Sequence, residues 1–158
     1  MTTRIRPIRS TDYDQILALE AEIFGSDAWP PEVFATELDY PGSHYLVAEA
    51  DHQVVGYAGL RVVGPGDPGD IQTLAVAPDF RGQGLGRALL EGLLRQASEL
   101  QAGDVLLEVR ADNQAAQALY QSRGFREIAR RPGYYQPDHV DAIVMRRRVN
   151  HAPPGENQ

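Results

Sequence analysis

The chain predicts an α+β fold: a mixed, mostly antiparallel sheet flanked by helices in a single domain. Three observations point there. Strand-patterned runs come in hairpin-linked groups rather than in strict alternation with helices. Two helical patterns in the second half sit between strands as crossovers. The length of 158 residues and a hydrophobic fraction of 42% suit one core, with no internal repeat. The domain is expected over 1–150, followed by a disordered polar tail from His151 to Gln158.

Each element has its own signal. Thr3 to Arg9 reads as a short strand. Thr11 and Asp14 have capping-box spacing before an apolar pattern at Ile16, Leu19 and Ile23, and Gly25 should end that helix. Trp29-Pro30-Pro31 starts a second helix with Phe34 and Leu38 on one face. Pro41-Gly42 is a turn. Tyr45 to Glu49 and Val54 to Val63 are strands around the turn Asp51-His52. Gly64 to Gly69 is too rich in breakers to be anything but a loop. Ile71 to Val76 is a strand, and the helix after it carries Leu85, Leu89, Leu93 and Leu94 to about Leu100. Val105 to Arg110 is a strand, with Leu106, Glu108 and Arg110 on the face opposite Val105, Leu107 and Val109. Asp112 or Asn113 caps a short helix that Gly124 stops. Phe125 to Arg131 and Ala142 to Val149 complete the sheet, with Tyr134 and Tyr135 in a Pro-Gly loop between them.

The most telling segment is Arg81-Gly82-Gln83-Gly84-Leu85-Gly86, between a strand and a helix start. Glycines let a backbone approach an anion closely. The first-turn N–H groups and the positive end of the helix dipole attract one. The chain has no lysine, so this is not a Walker-type loop, and a Schiff-base lysine is excluded too. The glycine spacing and mid-chain position also depart from a dinucleotide-binding fingerprint. A plain strand–helix turn with extra glycines remains the simplest local reading.

Other classes fall away. No cysteine means no disulfide, thiolate zinc site or cysteine nucleophile. His44, His52, His139 and His151 lack metal-ligand spacing, so no metal is expected. The formal charge of -7 disfavours a nucleic-acid partner and suits either a cationic partner or simply solubility. No apolar run is long enough to span a membrane, and the N-terminus lacks a signal-peptide core, so a cytoplasmic protein is expected.

The stretch from Leu74 to Leu90, with Pro78 before Arg81, Gly84 and Gly86, resembles the acetyl-CoA-binding motif of the GNAT N-acetyltransferases. Leu107-Glu108-Val109-Arg110-Ala111 with Asn113, Ala118-Leu119-Tyr120 and Gly124-Phe125 is similar to the RimI-type ribosomal-protein alanine N-acetyltransferases. So are Arg130 to Tyr135 with Asp141 to Met145, and Trp29-Pro30 with Phe34. The chain departs most from that group between Asp51 and Asp70 and in its tail.

The resemblance implies a GNAT fold with acetyl-CoA as co-substrate. The acceptor would be the N-terminal alanine of a basic ribosomal protein. The diphosphate would rest on Arg81, Gly82, Gln83, Gly84, Leu85, Gly86 and Arg87. Backbone groups of Leu74 and Val76, with Ala75 between them, would hold the pantetheine arm, and the Val76 N–H would polarise the acetyl carbonyl, with Asn113 also touching the coenzyme. Glu108 would be the general base and Tyr120 the acid for the leaving thiolate. Read from the residues alone, Glu108 is first a solvated strand-end carboxylate paired with Arg110, and Tyr120 first a core aromatic; the resemblance reverses both. Trp29, Tyr134 and Tyr135 line an acceptor cleft or merely pack. Two rival functions stay open: acetylation of a small amine, and a noncatalytic acyl-CoA sensor.

Overall fold

The structure, a computed structural model, describes residues 2–149. The expected tail, His151 to Gln158, lies outside them. Seven strands and four α-helices follow in the order β1 (Thr3–Pro7), α1 (Tyr13–Phe24), α2 (Pro31–Asp39), β2 (Ser43–Ala50), β3 (Gln53–Val62), β4 (Gly69–Val76), α3 (Leu85–Glu99), β5 (Val105–Arg110), α4 (Gln114–Gln121), β6 (Arg126–Tyr135) and β7 (Val140–Arg147). They form one sheet in the order β1-β2-β3-β4-β5-β7-β6. Every neighbouring pair is antiparallel except β4 and β5. That exception follows from α3, which carries the chain back over the sheet so that β5 starts where β4 started.

Helices cover both faces. On one face α3 and α4 bury Leu85, Leu89, Leu90, Leu93 and Tyr120 against Leu46, Ala58, Leu60, Leu107 and Val109. On the other, α1 and α2 bury Ile16, Phe34 and Leu38 against Tyr45, Val47 and Tyr57. Alternation along β2 makes this possible: Leu46 and Ala48 face one layer, Tyr45 and Val47 the other.

Two local expectations need correction. The acid that organises the start of α1 is Asp12, not the Thr11/Asp14 pair. Asp12 accepts the Arg9 N–H at 2.7 Å and holds the Arg6 guanidinium through both oxygens, at 2.8 and 2.9 Å. Arg6 is buried and needs a counter-charge, so the paired acid sits two residues before the Asp14 that the pattern implied. The Arg6 hydrogen bond holds the Asp12 carboxyl below the usual carboxylate range. Second, β6 runs on through Pro132 and Gly133 to Tyr135 instead of ending at Arg131. β6 is an edge strand paired only with β7, where a proline without an N–H is tolerated. A register shift between Arg131 and Tyr135 absorbs the irregular residues.

Candidate active site

The glycine turn builds the first wall. A short 3-10 turn, Pro78–Phe80, leads into it, and the Arg81 Nε donates to the Val76 carbonyl at 3.0 Å, tying the turn to the end of β4. Gly82 and Gly84 have φ of +77° and +85°, and nothing lies within 4 Å of where a Cβ would sit on either. Both therefore need glycine for the backbone conformation and leave open space above it. Gly84 is the N-cap of α3, so the N–H groups of Leu85, Gly86 and Arg87 have no partner within the helix. Gly86 differs. Its φ is not left-handed, and a Cβ would only touch Leu119, Leu74 and Val76 at 3.6–3.9 Å.

The second feature is a split in the sheet. β4 and β5 pair only at Gly69–Val105 and Asp70–Leu106. Beyond that they diverge, while Leu74, Ala75 and Val76 stay paired with Ala58, Tyr57 and Gly56 of β3. The β5-facing edge of β4 therefore offers backbone donors and acceptors to whatever enters the wedge.

A cavity of about 180 Å³ passes through that wedge. On the α3–α4 side its wall is Asn113, Ala116 and Tyr120; in the middle it is Ile71 to Leu74 with Glu108 to Arg110; on the far side it is Glu20, Phe24, Asp27, Trp29 and Tyr135. The cavity thus links one face of the sheet to the other. A second groove of about 420 Å³ continues from it, sharing Trp29, Gln72, Glu108 and Tyr135 and adding Asp70 and Tyr134.

The fold brings Glu108, Tyr120, Asn113 and Leu74 to one cavity, with the turn from Arg81 to Arg87 at its own side of the sheet. Tyr120 comes from α4, one helical turn after Ala116, and is 7% exposed, its ring edge-on to Phe125 at 5.8 Å. Burial, with a smaller contribution from Tyr135, pushes its phenol up to about 12. Asn113 caps α4, its side-chain oxygen accepting the Ala116 N–H at 3.1 Å. Glu108 follows the expected alternation on β5, with Val105, Leu107 and Val109 buried on the other face.

Its partner is not Arg110. Arg131, from β6, donates to Glu108 Oε2 at 2.6 Å and stacks over Tyr134 at 4.3 Å. Residues two apart on a strand share a face, but here the sheet neighbours decide: Arg110 turns to Asp27, Asp112 and Asp138 instead. Nor do Tyr134 and Tyr135 occupy a loop; both are in β6, and Tyr135 reaches both the cavity and the groove. Burial, aided by Glu108, pushes the Tyr135 phenol up to about 12.

Sequence reasoning missed Glu20, Asp27, Asp70 and Arg131. Glu20 is buried, taking the Tyr57 hydroxyl at 2.6 Å and the Trp29 N–H at 3.1 Å, which fixes the segment after α1 against the sheet. No local pattern announces such contacts, since partners such as Asp27 and Arg110 lie 83 positions apart. Among the described residues, no cluster of His, Cys, Asp or Glu is arranged to hold a metal ion, and no helix is long and apolar enough to cross a membrane.

Residues 12–125 match the model of the Acetyltransferase (GNAT) family. The chain is 42% identical over 146 residues to the N-alpha-acetyltransferase RimI of Mycobacterium tuberculosis, covering 90% of each protein. It is 38% identical over 121 residues to a ribosomal-protein alanine N-acetyltransferase of Escherichia coli, covering 74% of this chain and 78% of that protein. The crystal structure of the ribosomal-protein-S18-alanine N-acetyltransferase from Escherichia coli superposes with a TM-score of 0.87 at 30% identity, over 99% of this chain and 100% of that one. A glycine turn at a helix start, a wedge between two parallel strands and these relatives agree: the chain belongs to the GNAT family and is an acetyl-CoA-dependent N-acetyltransferase of RimI-like sequence and fold.

Proposed function

We propose that this enzyme acetylates the N-terminal alanine of a basic small-subunit ribosomal protein in the cytoplasm, with Glu108 as general base and Tyr120 as general acid. The observation that carries this reading is the cavity through the sheet, which has both side chains on its walls. The relatives named above supply the acceptor class.

In this reading the diphosphate of acetyl-CoA lies on the N–H groups from Gly82 to Arg87, where the positive-φ glycines leave room for it. The pantetheine amides run along the unpaired edge of β4 at Leu74, Ala75 and Val76, and a backbone N–H there, assigned to Val76, polarises the acetyl carbonyl. Asn113 lies beside the same path.

The acceptor enters from the α1–α2 side. An α-amine has a pKa of about 8, so roughly a tenth is uncharged at pH 7, far more than for a lysine near 10.4. Its nitrogen attacks the thioester carbonyl and forms the C–N bond. The proton it sheds goes to Glu108, directly or through one water; Arg131 holds Oε2, and Oε1 has no hydrogen bond to another described residue. As the tetrahedral intermediate collapses, the C–S bond breaks and the thiolate takes the Tyr120 proton. The phenol is protonated across the neutral range and so available as a donor; burial makes it a weaker acid, and the same dry surroundings make the thiolate a stronger base, which offsets this.

The groove continuing past Glu108 gives room for residues after the first, which a small-amine enzyme does not require. The deciding experiment is an acetylation screen of N-terminal peptides against free amino acids and polyamines, read by intact mass. The expected result is one acetyl group on the α-nitrogen of Ala-starting peptides. Turnover of free amines alone would overturn the acceptor assignment.

A further inference from the structure

Arg110 ends β5, and its guanidinium is shared by three segments, two of them distant in sequence. Nη1 donates to Asp27, in the turn between α1 and α2, at 2.6 Å. Nε and Nη2 take the two oxygens of Asp112, ahead of α4, at 3.0 and 3.1 Å. Nη2 also reaches Asp138, in the β6–β7 turn, at 3.4 Å, and the guanidinium lies 5.2 Å from the centre of the Tyr135 ring. The Arg110 carbonyl, meanwhile, accepts from the Gln117 side chain at 3.1 Å, anchoring the residue to α4.

Two of these partners, Asp27 and Tyr135, border the through-sheet cavity, as does Arg110 itself. The same side chain therefore joins the two rims of the acceptor side: the segment after α1 and the turn after β6. One cation serves three carboxylates, so the cluster keeps surplus negative charge. Remove the cation and three acids are left at close quarters to repel one another. A lysine cannot replace it, because a single ammonium lacks the planar fork that reaches three acids and stacks on a ring.

We propose that Arg110 is a positioning residue that sets the width of the acceptor entrance by tying 25–30 to the 136–139 turn. The proposal rests on the reading that a peptide amine enters from this side. It makes a prediction opposite in sign to simple electrostatics. Loss of a positive charge beside acids should by itself draw a cationic amine in and lower KM. Loss of a clamp raises KM, because the peptide must then order the rims itself.

The test uses the full chain with Arg110→Met, Arg110→Lys and Asp138→Asn. Arg110→Met should raise the acceptor-peptide KM about tenfold and move the acetyl-CoA dissociation constant, by calorimetry, less than about twofold. Arg110→Lys should recover only part of the loss. Hydrogen exchange at amides 25–29 and at 136, 138 and 139 should speed up about tenfold in Arg110→Met while that of α3 stays as it was. Asp138→Asn removes one solvent-facing contact and should speed exchange in both rims by about twofold; because losing a negative charge would itself raise KM, its exchange alone carries the test if Arg110→Met does not fold, and unchanged exchange there overturns the proposal. A lowered or unchanged peptide KM in folded Arg110→Met overturns the proposal, even if exchange changes, since the role would then be structural only. If wild-type protein acetylates no N-terminal peptide, the peptide reading fails on its own; unchanged exchange in the variants would then overturn the clamp separately.

Discussion

On the α3–α4 face of the sheet, the coenzyme cradle is made of neighbours in sequence, a strand end, a glycine turn and a helix start within Leu74 to Arg87, with Asn113 and Tyr120 added from α4. On the α1–α2 face the site is made of strangers, with Glu20 bonded to Tyr57 and Trp29, Glu108 to Arg131, and Arg110 to Asp27 and Asp138. The cradle presents backbone and needs only the right conformations. The other face presents charged side chains and needs each partner in place. A coenzyme shared by a whole family suits the first construction. An acceptor that differs between family members suits the second, because side chains change singly and a backbone turn does not.

The largest expected effect lies where the two faces meet. Glu108→Gln should lower turnover by about a hundredfold or more while acetyl-CoA affinity stays within about twofold. Tyr120→Phe, from the coenzyme side, should slow turnover by at least about tenfold when chemistry is limiting. Single-turnover kinetics with calorimetry would check both. If Glu108→Gln cost coenzyme affinity rather than turnover, the division between faces would be broken.

Next in size is Gly84→Val. A β-branched side chain at φ +85° is strained by about 1–2 kcal/mol and fills the space above the turn. Acetyl-CoA binding should weaken about tenfold or more, with the Arg110-centred rims unaffected. An unaltered dissociation constant would remove the cradle from the account.

The smallest effect is a dependence of stability on pH that shows only in acid. Arg6 holds the Asp12 carboxyl below its unfolded value, so the native state disfavours the protonated form. The stability this supplies is fully present above the unfolded pKa of about 3.9 and is lost as pH falls through the depressed folded value. Denaturant melts of wild type should therefore lose stability with acid across that window, and Asp12→Asn should flatten this slope. An identical slope in both would show that the Arg6–Asp12 pair adds no pH dependence.

The same contrast explains what could be read from the chain. Periodicity and glycine punctuation placed the strands, α3 and the turn, since those depend on residues a few positions apart. Pro132 argues against a strand interior and so cuts the predicted β6 short, and only the sheet order reveals it as an edge. Arg110 was paired with the wrong acid for a related reason: two residues apart on a strand suggests contact, yet cross-strand and loop partners decide. Glu20 carries no signal of its own in the sequence, and only the tertiary packing shows it sealed against Tyr57.

The brief β4–β5 pairing also has a bearing on how the protein persists. Two residue pairs join the halves of an otherwise continuous ladder, and in the proposed binding mode the pantetheine amides complete the rest. A ligand that acts as a missing strand lends its binding energy to the native state, by about 2.7 kcal/mol at a hundredfold excess over its dissociation constant. Resistance to unfolding and proteolysis would then rise and fall with the supply of acetyl-CoA, so that nutrient status sets not only how fast this enzyme works but how long each copy of it lasts.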